Sequence, residues 1–172
     1  AETIGWAIYY NAGQTCNAGS RIIVESAVKD ELFAHLADFA KSFKVGNPLN
    51  PETMMGPLVS KVQRDRVNSY LELLGNNGEV VNFGGQKASG DDLFIQPTLV
   101  SNVKNDSRLA QEEIFGPVIT LQSFETEDEV QALANSTKYG LAASIWTNNV
   151  TVAHRLAGNL QTGIVWVNCW LE

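Results

Sequence analysis

The chain has 172 residues, 44% of them hydrophobic, which is enough to bury the core of one compact domain. Its 12 basic and 19 acidic residues give a net charge of -7, and no basic run follows a phosphate backbone, which argues against a nucleic-acid partner. No stretch approaches the ~20 apolar residues of a membrane helix, so we expect no membrane partner. Two cysteines, Cys16 and Cys169, form neither a disulfide framework nor a metal-ligand spacing, which predicts free thiols, no metal and a cytoplasmic location.

The first half of the chain predicts a strand and two amphipathic helices. A β-branched run at 21–25 is typical of a strand, and residues 29–43 carry apolar side chains at helical spacing. The proline- and glycine-rich segment 47–58 predicts an extended surface connection. Ser60, followed three residues later by a glutamine, has the pattern of a capping box and predicts a helix that ends at residues 75–78.

The second half predicts an alternation of strands and helices. The predicted strands are 79–83, 94–103 (interrupted by Pro97), 117–124, 141–147 and 163–168. A capping box at Thr126 and Glu129 predicts a helix over 127–136, and 149–160 is also helical in pattern. Strand-helix-strand order implies right-handed crossovers, so we expect an α/β domain with a largely parallel sheet covered by helices.

Cys16 lies among small residues in the stretch NAGQTCNAGSR, residues 11–21. A thiolate attacks electrophilic carbon, and small neighbours allow backbone N–H groups to approach both the sulfur and a developing oxyanion. The alternative is structural: glycine and alanine permit close packing, and Cys16 is a buried small hydrophobic residue. Residue types alone leave both interpretations open.

The stretch QEEIFGPV, residues 111–118, places Glu113 and Phe115 two positions apart before a predicted strand. A carboxylate there can accept both hydroxyl hydrogens of a ribose, and an aromatic face can pack against a flat ring. The alternative is a pair of solvated acids followed by a core phenylalanine that anchors a turn.

Histidine is the usual base of a cysteine hydrolase, and the chain offers His35 and His154. Both fall inside helical patterns, where a surface or boundary position is the ordinary interpretation. A cysteine hydrolase or acyltransferase therefore remains a remote alternative.

Four motifs together resemble the NAD(P)-dependent aldehyde dehydrogenase superfamily in order, spacing and type. They are N-A-G-Q-T-C at 11–16, Q-E-E-I-F-G-P-V at 111–118, Y-G-L-A-A-S-I-W-T at 139–147 and G-I-V-W-V-N at 163–168. The likeness covers almost the entire chain. It implies the three-layer α/β fold of the family's C-terminal catalytic domain, with helices on both faces of the sheet.

The resemblance also implies roles for individual residues. Cys16 matches the family's catalytic cysteine, which forms a thiohemiacetal with the aldehyde and then a thioester, and its backbone N–H would be half of the oxyanion hole. Glu113 matches the glutamate that binds the nicotinamide ribose of NAD or NADP, and Phe115 matches the aromatic residue beside the nicotinamide. Tyr10 and Trp170 fall where the family lines its aldehyde pocket.

The resemblance further implies that other functional parts lie outside residues 1–172. In the family, the Rossmann-like cofactor domain, the general-base glutamate and the asparagine of the oxyanion hole come before the position of Ala1, and the oligomerisation strand comes after that of Glu172. We therefore expect a single catalytic-domain fragment that is inactive alone and belongs to a homo-oligomeric enzyme. The alternative is a non-catalytic truncated domain that acts as a binding or assembly module.

The end of the chain carries a resemblance that bears on the substrate. The final residues I-V-W-V-N-C-W-L-E, 164–172, are similar to those of family members that act on muconic-type semialdehydes. The resemblance thus implies a small-molecule aldehyde, with a semialdehyde as the more specific expectation.

Overall fold

The computed structural model describes residues 1–87, 90 and 92–171, in which helices and strands alternate. The helices are α1 Glu2–Tyr9, α2 Lys29–Ser42, α3 Lys61–Leu71, α4 Arg108–Gln111, α5 Glu127–Ala134 and α6 Val150–Asn159. The strands are β1 Arg21–Glu25, β2 Val80–Phe83, β3 Thr98–Ser101, β4 Val118–Phe124, β5 Ala142–Ile145 and β6 Ile164–Val167. Each strand and helix predicted from the pattern is present, with ends that shift by a few residues.

The described strands form two sheets. The larger sheet has the order β1-β4-β3-β2, in which β4 runs parallel to both β1 and β3, and β2 is antiparallel to β3. Strands β5 and β6 pair parallel to each other in a separate sheet. The prediction of a largely parallel α/β fold is therefore confirmed, although the alternation of elements gives no sign of the division into two sheets.

The core includes the two central strands of the larger sheet, β3 and β4, which are apolar on both faces. Leu99 and Val100 of β3, with Val118 and Ile119 of β4, are fully buried, as expected for strands covered by helices. Helix α2 contributes Leu36 and α3 contributes Val67 and Tyr70, while α1 packs its Trp6 ring edge-on against Phe43 with ring centroids 4.8 Å apart. This packing fixes the C-terminal end of α1, from which the Cys16 loop departs.

The two predicted capping boxes differ in outcome. At α5 the box is complete: Thr126 Oγ1 accepts the Glu129 N–H, and the Glu129 carboxylate accepts the Thr126 N–H. At α3, Ser60 Oγ accepts the Gln63 N–H at 3.2 Å, but the Gln63 side chain does not return to the cap. The Ser60 prediction of a full capping box is therefore wrong in one of its two bonds, the one from the Ser60 backbone N–H to the Gln63 side chain. The Gln63 side chain donates to another loop instead.

Candidate active site

Cys16 lies on an exposed turn shortly after α1. Residues Asn11, Ala12 and Gly13 have φ values of 52°, 54° and 72°, so three consecutive residues adopt the left-handed conformation that redirects the chain. A hydrogen bond from the Ala18 N–H to the Thr15 carbonyl, at 3.1 Å, closes the turn around Cys16. The Cys16 residue is exposed, so the interpretation as a buried packing residue is wrong.

The Cys16 loop and the QEEIFGPV turn meet at two glycines. A Cβ on Gly13 would lie 2.1 Å from the Gly116 carbonyl oxygen and 2.9 Å from Pro117 N, so only glycine allows this approach. Gly116 in turn packs on α3, where an added Cβ would lie 2.5 Å from Val67 Cγ2. Two motifs about a hundred residues apart are thereby held in direct backbone contact.

The two adjacent acids have different surroundings. Both carboxylate oxygens of Glu112 accept hydrogen bonds from the Arg108 guanidinium at 3.0 Å, and Tyr70 Oη donates to Glu112 at 2.9 Å. The Arg108 hydrogen bonds, followed by that of Tyr70, lower the pKa of Glu112 below its usual value. Glu113 is exposed, and its carboxylate has no hydrogen-bond or ion-pair partner in the part of the chain that the structure describes. Glu112 is thus a structural acid, whereas Glu113 is available to a ligand.

Side chains from α3 and from the loop after α5 hold the backbone of this turn. Gln63 Nε2 donates to the Phe115 carbonyl at 2.7 Å and to the Ile114 carbonyl at 3.3 Å. Arg66 donates to the Glu113 carbonyl, and Tyr139 Oη accepts the Glu113 N–H at 3.3 Å. The ring of Phe115 is half-buried, and its φ of 59° is left-handed, a strained conformation that such surrounding bonds can maintain.

No pattern in the sequence indicates that Gln63, Arg66 or Tyr139 belongs to the site. Gln63 fits a capping box equally well, and Arg66 looks like an ordinary exposed helix residue. Tyr139 stands in the quoted Y-G-L-A-A motif, which is the one available signal, but the motif does not indicate which residue it contacts.

Tyr10 and Trp170, the two predicted pocket residues, lie together. Their ring centroids are 6.4 Å apart in an edge-to-face arrangement, and Tyr10 is 54% exposed. Trp170 Nε1 donates to the carbonyl of Asn17, the residue after Cys16, at 3.1 Å. The aromatic pair therefore flanks the cysteine turn.

The histidines lie elsewhere on the surface. His35 on α2 is exposed, with its Nε2 4.0 Å from Glu31, and His154 on α6 is also exposed. Within residues 1–87, 90 and 92–171, neither forms a hydrogen bond with Cys16, so the geometry gives no support to a Cys–His hydrolase.

Among residues 1–87, 90 and 92–171, no group of three or more histidine, cysteine, aspartate or glutamate side chains could hold a metal ion. None of the helices described is long and apolar enough to cross a membrane.

The chain matches the aldehyde dehydrogenase family over residues 1–172. It is 44% identical over 170 residues to an aldehyde dehydrogenase of Emericella nidulans, and 42% identical over 166 residues to a betaine aldehyde dehydrogenase of Bacillus subtilis. These alignments cover 97% and 94% of this chain but 34% of each relative.

Solved structures give the same result. A betaine aldehyde dehydrogenase from Staphylococcus aureus in complex with NAD+ superimposes with a TM-score of 0.94 at 37% identity, covering 99% of this chain and 35% of that one. An aldehyde dehydrogenase from Bacillus cereus, also an NAD+ complex, gives a TM-score of 0.94 at 39% identity, with the same coverage. This chain spans about a third of the length of these relatives. The sequence match, the shared fold and the meeting of the two motifs together show that the chain belongs to the aldehyde dehydrogenase family.

Proposed function

We propose that this chain is the cysteine-bearing catalytic part of an NAD(P)-dependent aldehyde dehydrogenase, which oxidises an aldehyde to a carboxylic acid. The observation that carries the proposal is the backbone contact of Gly13 with Gly116. Through it, the loop of an exposed cysteine is held against the turn of an exposed carboxylate that has no partner among the described residues.

In the proposed reaction, Cys16 is the nucleophile. Its thiolate attacks the carbonyl carbon, the π electrons move to oxygen, and a thiohemiacetal oxyanion forms on the sulfur. The Cys16 N–H supports this step because no described residue accepts a hydrogen bond from it, which leaves it available to the oxyanion. When the C=O bond forms again and hydride leaves, the product on Cys16 is a thioester, which water then hydrolyses.

Glu113 and Phe115 fit the nicotinamide half of NAD(P), which when bound supplies the hydride acceptor. The Glu113 carboxylate, which has no partner in the described part of the chain, offers two oxygens for two ribose hydroxyls, and the half-buried Phe115 ring offers an apolar face two residues away. Gln63, Arg66 and Tyr139 hold the backbone at this turn, so the main-chain positions of Glu113 and Phe115 are set before any ligand arrives. The adjacent Glu112 is excluded from this role by its bonds to Arg108 and Tyr70.

We further propose that activity needs residues beyond these 172. The cysteine turn is open on the surface, and a cleft of 450 Å³ elsewhere, lined by residues that include Asn105 and Leu133, contains none of the candidate residues. Enzyme sites normally enclose most of a ligand. A purified polypeptide of residues 1–172, mixed with NAD+ and a simple aldehyde, is expected to give no rise in absorbance at 340 nm. Measurable NADH formation by it would contradict this part of the proposal.

We propose two candidate classes of aldehyde. The ending 164–172 favours a carboxylated semialdehyde. The aromatic pair Tyr10 and Trp170 favours an aldehyde with a trimethylammonium group, since aromatic faces attract such cations, and betaine aldehyde dehydrogenases are among the relatives. A screen of the full-length enzyme by kcat/KM, with short aliphatic aldehydes included, separates the classes. If the short aliphatic aldehydes have a higher kcat/KM than both candidate classes, neither proposal holds.

The reaction itself is tested with the full-length enzyme and two cysteine variants. We expect NAD(P)H formation by the wild-type enzyme, at least a thousandfold loss in Cys16→Ala, and retention within about threefold in the matched control Cys169→Ala. Activity in Cys16→Ala near that of the wild type would contradict the proposed nucleophile.

For the complete enzyme we propose a homo-oligomer in the cytoplasm. The free thiols of Cys16 and Cys169 support a reducing compartment. Light scattering coupled to size-exclusion chromatography measures the assembly, and cell fractionation measures the location. A monomeric enzyme would contradict the proposed homo-oligomer, and a secreted enzyme would contradict the proposed location.

A further inference from the structure

Gln14 lies two residues before Cys16 and uses both ends of its carboxamide group. Its Nε2 donates to the Asn11 carbonyl at 3.2 Å, within the same loop. Its Oε1 accepts the backbone N–H of Val59 at 2.9 Å, a bond that crosses 45 residues of chain. Gln14 therefore connects the cysteine loop to a separate part of the molecule.

The partner of Gln14 stands at the fixed end of α3. Val59 directly precedes Ser60, whose side chain caps the helix by accepting the Gln63 N–H at 3.2 Å. Gln63, in the first turn of the same helix, holds the Phe115 carbonyl at 2.7 Å. One helix end thus binds both loops of the proposed site, the cysteine loop through Gln14 and the Phe115 turn through Gln63.

The cysteine loop needs a hydrogen bond to a residue outside the loop, such as the one between Gln14 and Val59. Asn11 and Ala12 are left-handed without being glycine, which is an unfavourable conformation that persists only where surrounding contacts enforce it. Asn11 and Gln14 also exchange side-chain-to-backbone bonds, which shape the loop but do not set its position against α3.

We propose that Gln14 is a positioning residue. By holding the Val59 N–H it sets the place of the Cys16 thiol relative to the Glu113–Phe115 turn. This inference rests on the proposed function, because the distance it controls matters only if Cys16 and that turn act on one reaction.

The expected effect follows from the geometry of hydride transfer. A misplacement of about 1 Å between reacting groups can cost about a hundredfold in rate. Loss of the Val59 bond should therefore lower kcat by about 10- to 100-fold. The KM for NAD(P)+ should change by less than about threefold, because Gln63 still holds the Phe115 turn.

The test compares three variants of the full-length enzyme. Gln14→Met keeps the length of the side chain but removes both hydrogen bonds, and should show the loss of kcat. Gln14→Glu keeps an oxygen acceptor for the Val59 N–H, but it replaces the donor to the Asn11 carbonyl by a carboxylate oxygen and adds a negative charge. Because the Val59 bond is retained, its kcat should still recover to within about fivefold of wild type. Gln161→Met is the matched control, because the Gln161 side chain is exposed and has no hydrogen bond among the described residues; it should behave as wild type.

The outcomes separate this inference from the proposed function. If the wild type forms no NAD(P)H, or Cys16→Ala stays active, the proposed function fails and this inference fails with it. If those controls behave as expected but Gln14→Met keeps kcat within twofold, or Gln14→Glu is as impaired as Gln14→Met, the positioning role is overturned. Should Gln14→Met fail to fold, Gln14→Glu alone decides: a loss of more than tenfold overturns the role, and near-normal kcat supports it.

Discussion

Replacement of Gly13 by alanine should separate the two loops of the proposed site. The new Cβ would lie 2.1 Å from the Gly116 carbonyl oxygen, whereas ordinary contacts begin at 3.4 Å, so one backbone must move by about 1.3 Å. Neither partner is a flexible side chain, which leaves no inexpensive way to relieve the contact.

The cost can be divided into two parts. The left-handed φ of 72° disfavours alanine by about 1–2 kcal/mol, and overpacking against fixed backbone adds about 1–3 kcal/mol. Gly75 provides a matched control, since its φ is 83° but no atom lies within 4 Å of its Cβ position. Gly75→Ala carries only the first part.

The assay measures the thermal unfolding midpoint and kcat of both variants of the full-length enzyme. Gly13→Ala should unfold about 1–3 °C below Gly75→Ala, at roughly 1 °C for each kcal/mol in an enzyme about three times as long as this chain, and lose at least about tenfold in kcat. Gly75→Ala should keep kcat within about twofold. Equal midpoints and equal kcat in the two variants would refute the claim that Gly13 holds the loops together.

Further predictions concern the acids and the caps. Glu113→Gln should raise the KM for NAD(P)+ about tenfold with little change in stability, whereas Glu112→Gln should lower the unfolding midpoint and leave this KM unchanged; steady-state kinetics showing the reverse would exchange their roles. Because the hydrogen bonds from Arg108 lower the pKa of Glu112, the stability from this group is complete above about pH 4.5 and is lost as pH falls through the lowered pKa. The midpoint should therefore fall less steeply below pH 4.5 in Glu112→Gln than in wild type, and parallel curves would contradict this. Thr126→Ala should destabilise α5 by about 1 kcal/mol through loss of its cap, and an unchanged midpoint would show that the box is not needed.

Much of the fold can be predicted because local patterns and tertiary packing agree. The β-branched run 21–25 and the apolar run 117–124 become the parallel pair β1 and β4, and the helical spacing of 29–43 becomes α2. The division into two sheets depends on strand pairing, which is a non-local property. Nothing in the alternation after residue 117 specifies that β5 and β6 pair only with each other within the described chain.

Prediction of the site from the sequence is also limited by contacts between residues that are distant in the chain. Residue types identified Cys16 and Glu113 as candidates, but they could not show that Cys16 is exposed or that Glu112 is occupied by Arg108 and Tyr70. Gln63 illustrates the reason: its backbone follows the local capping pattern, while its side chain takes a partner 52 residues away.

The central claim is that Cys16 carries the substrate as a thioester. The most direct measurement is peptide mass spectrometry of the full-length enzyme, quenched in acid within milliseconds of mixing with aldehyde and NAD(P)+. We expect the acyl mass on the peptide that contains Cys16, and no such mass in Cys16→Ala. Acyl mass on a different residue, or NAD(P)H formed at the wild-type rate with Cys16 unmodified, would contradict the proposed mechanism.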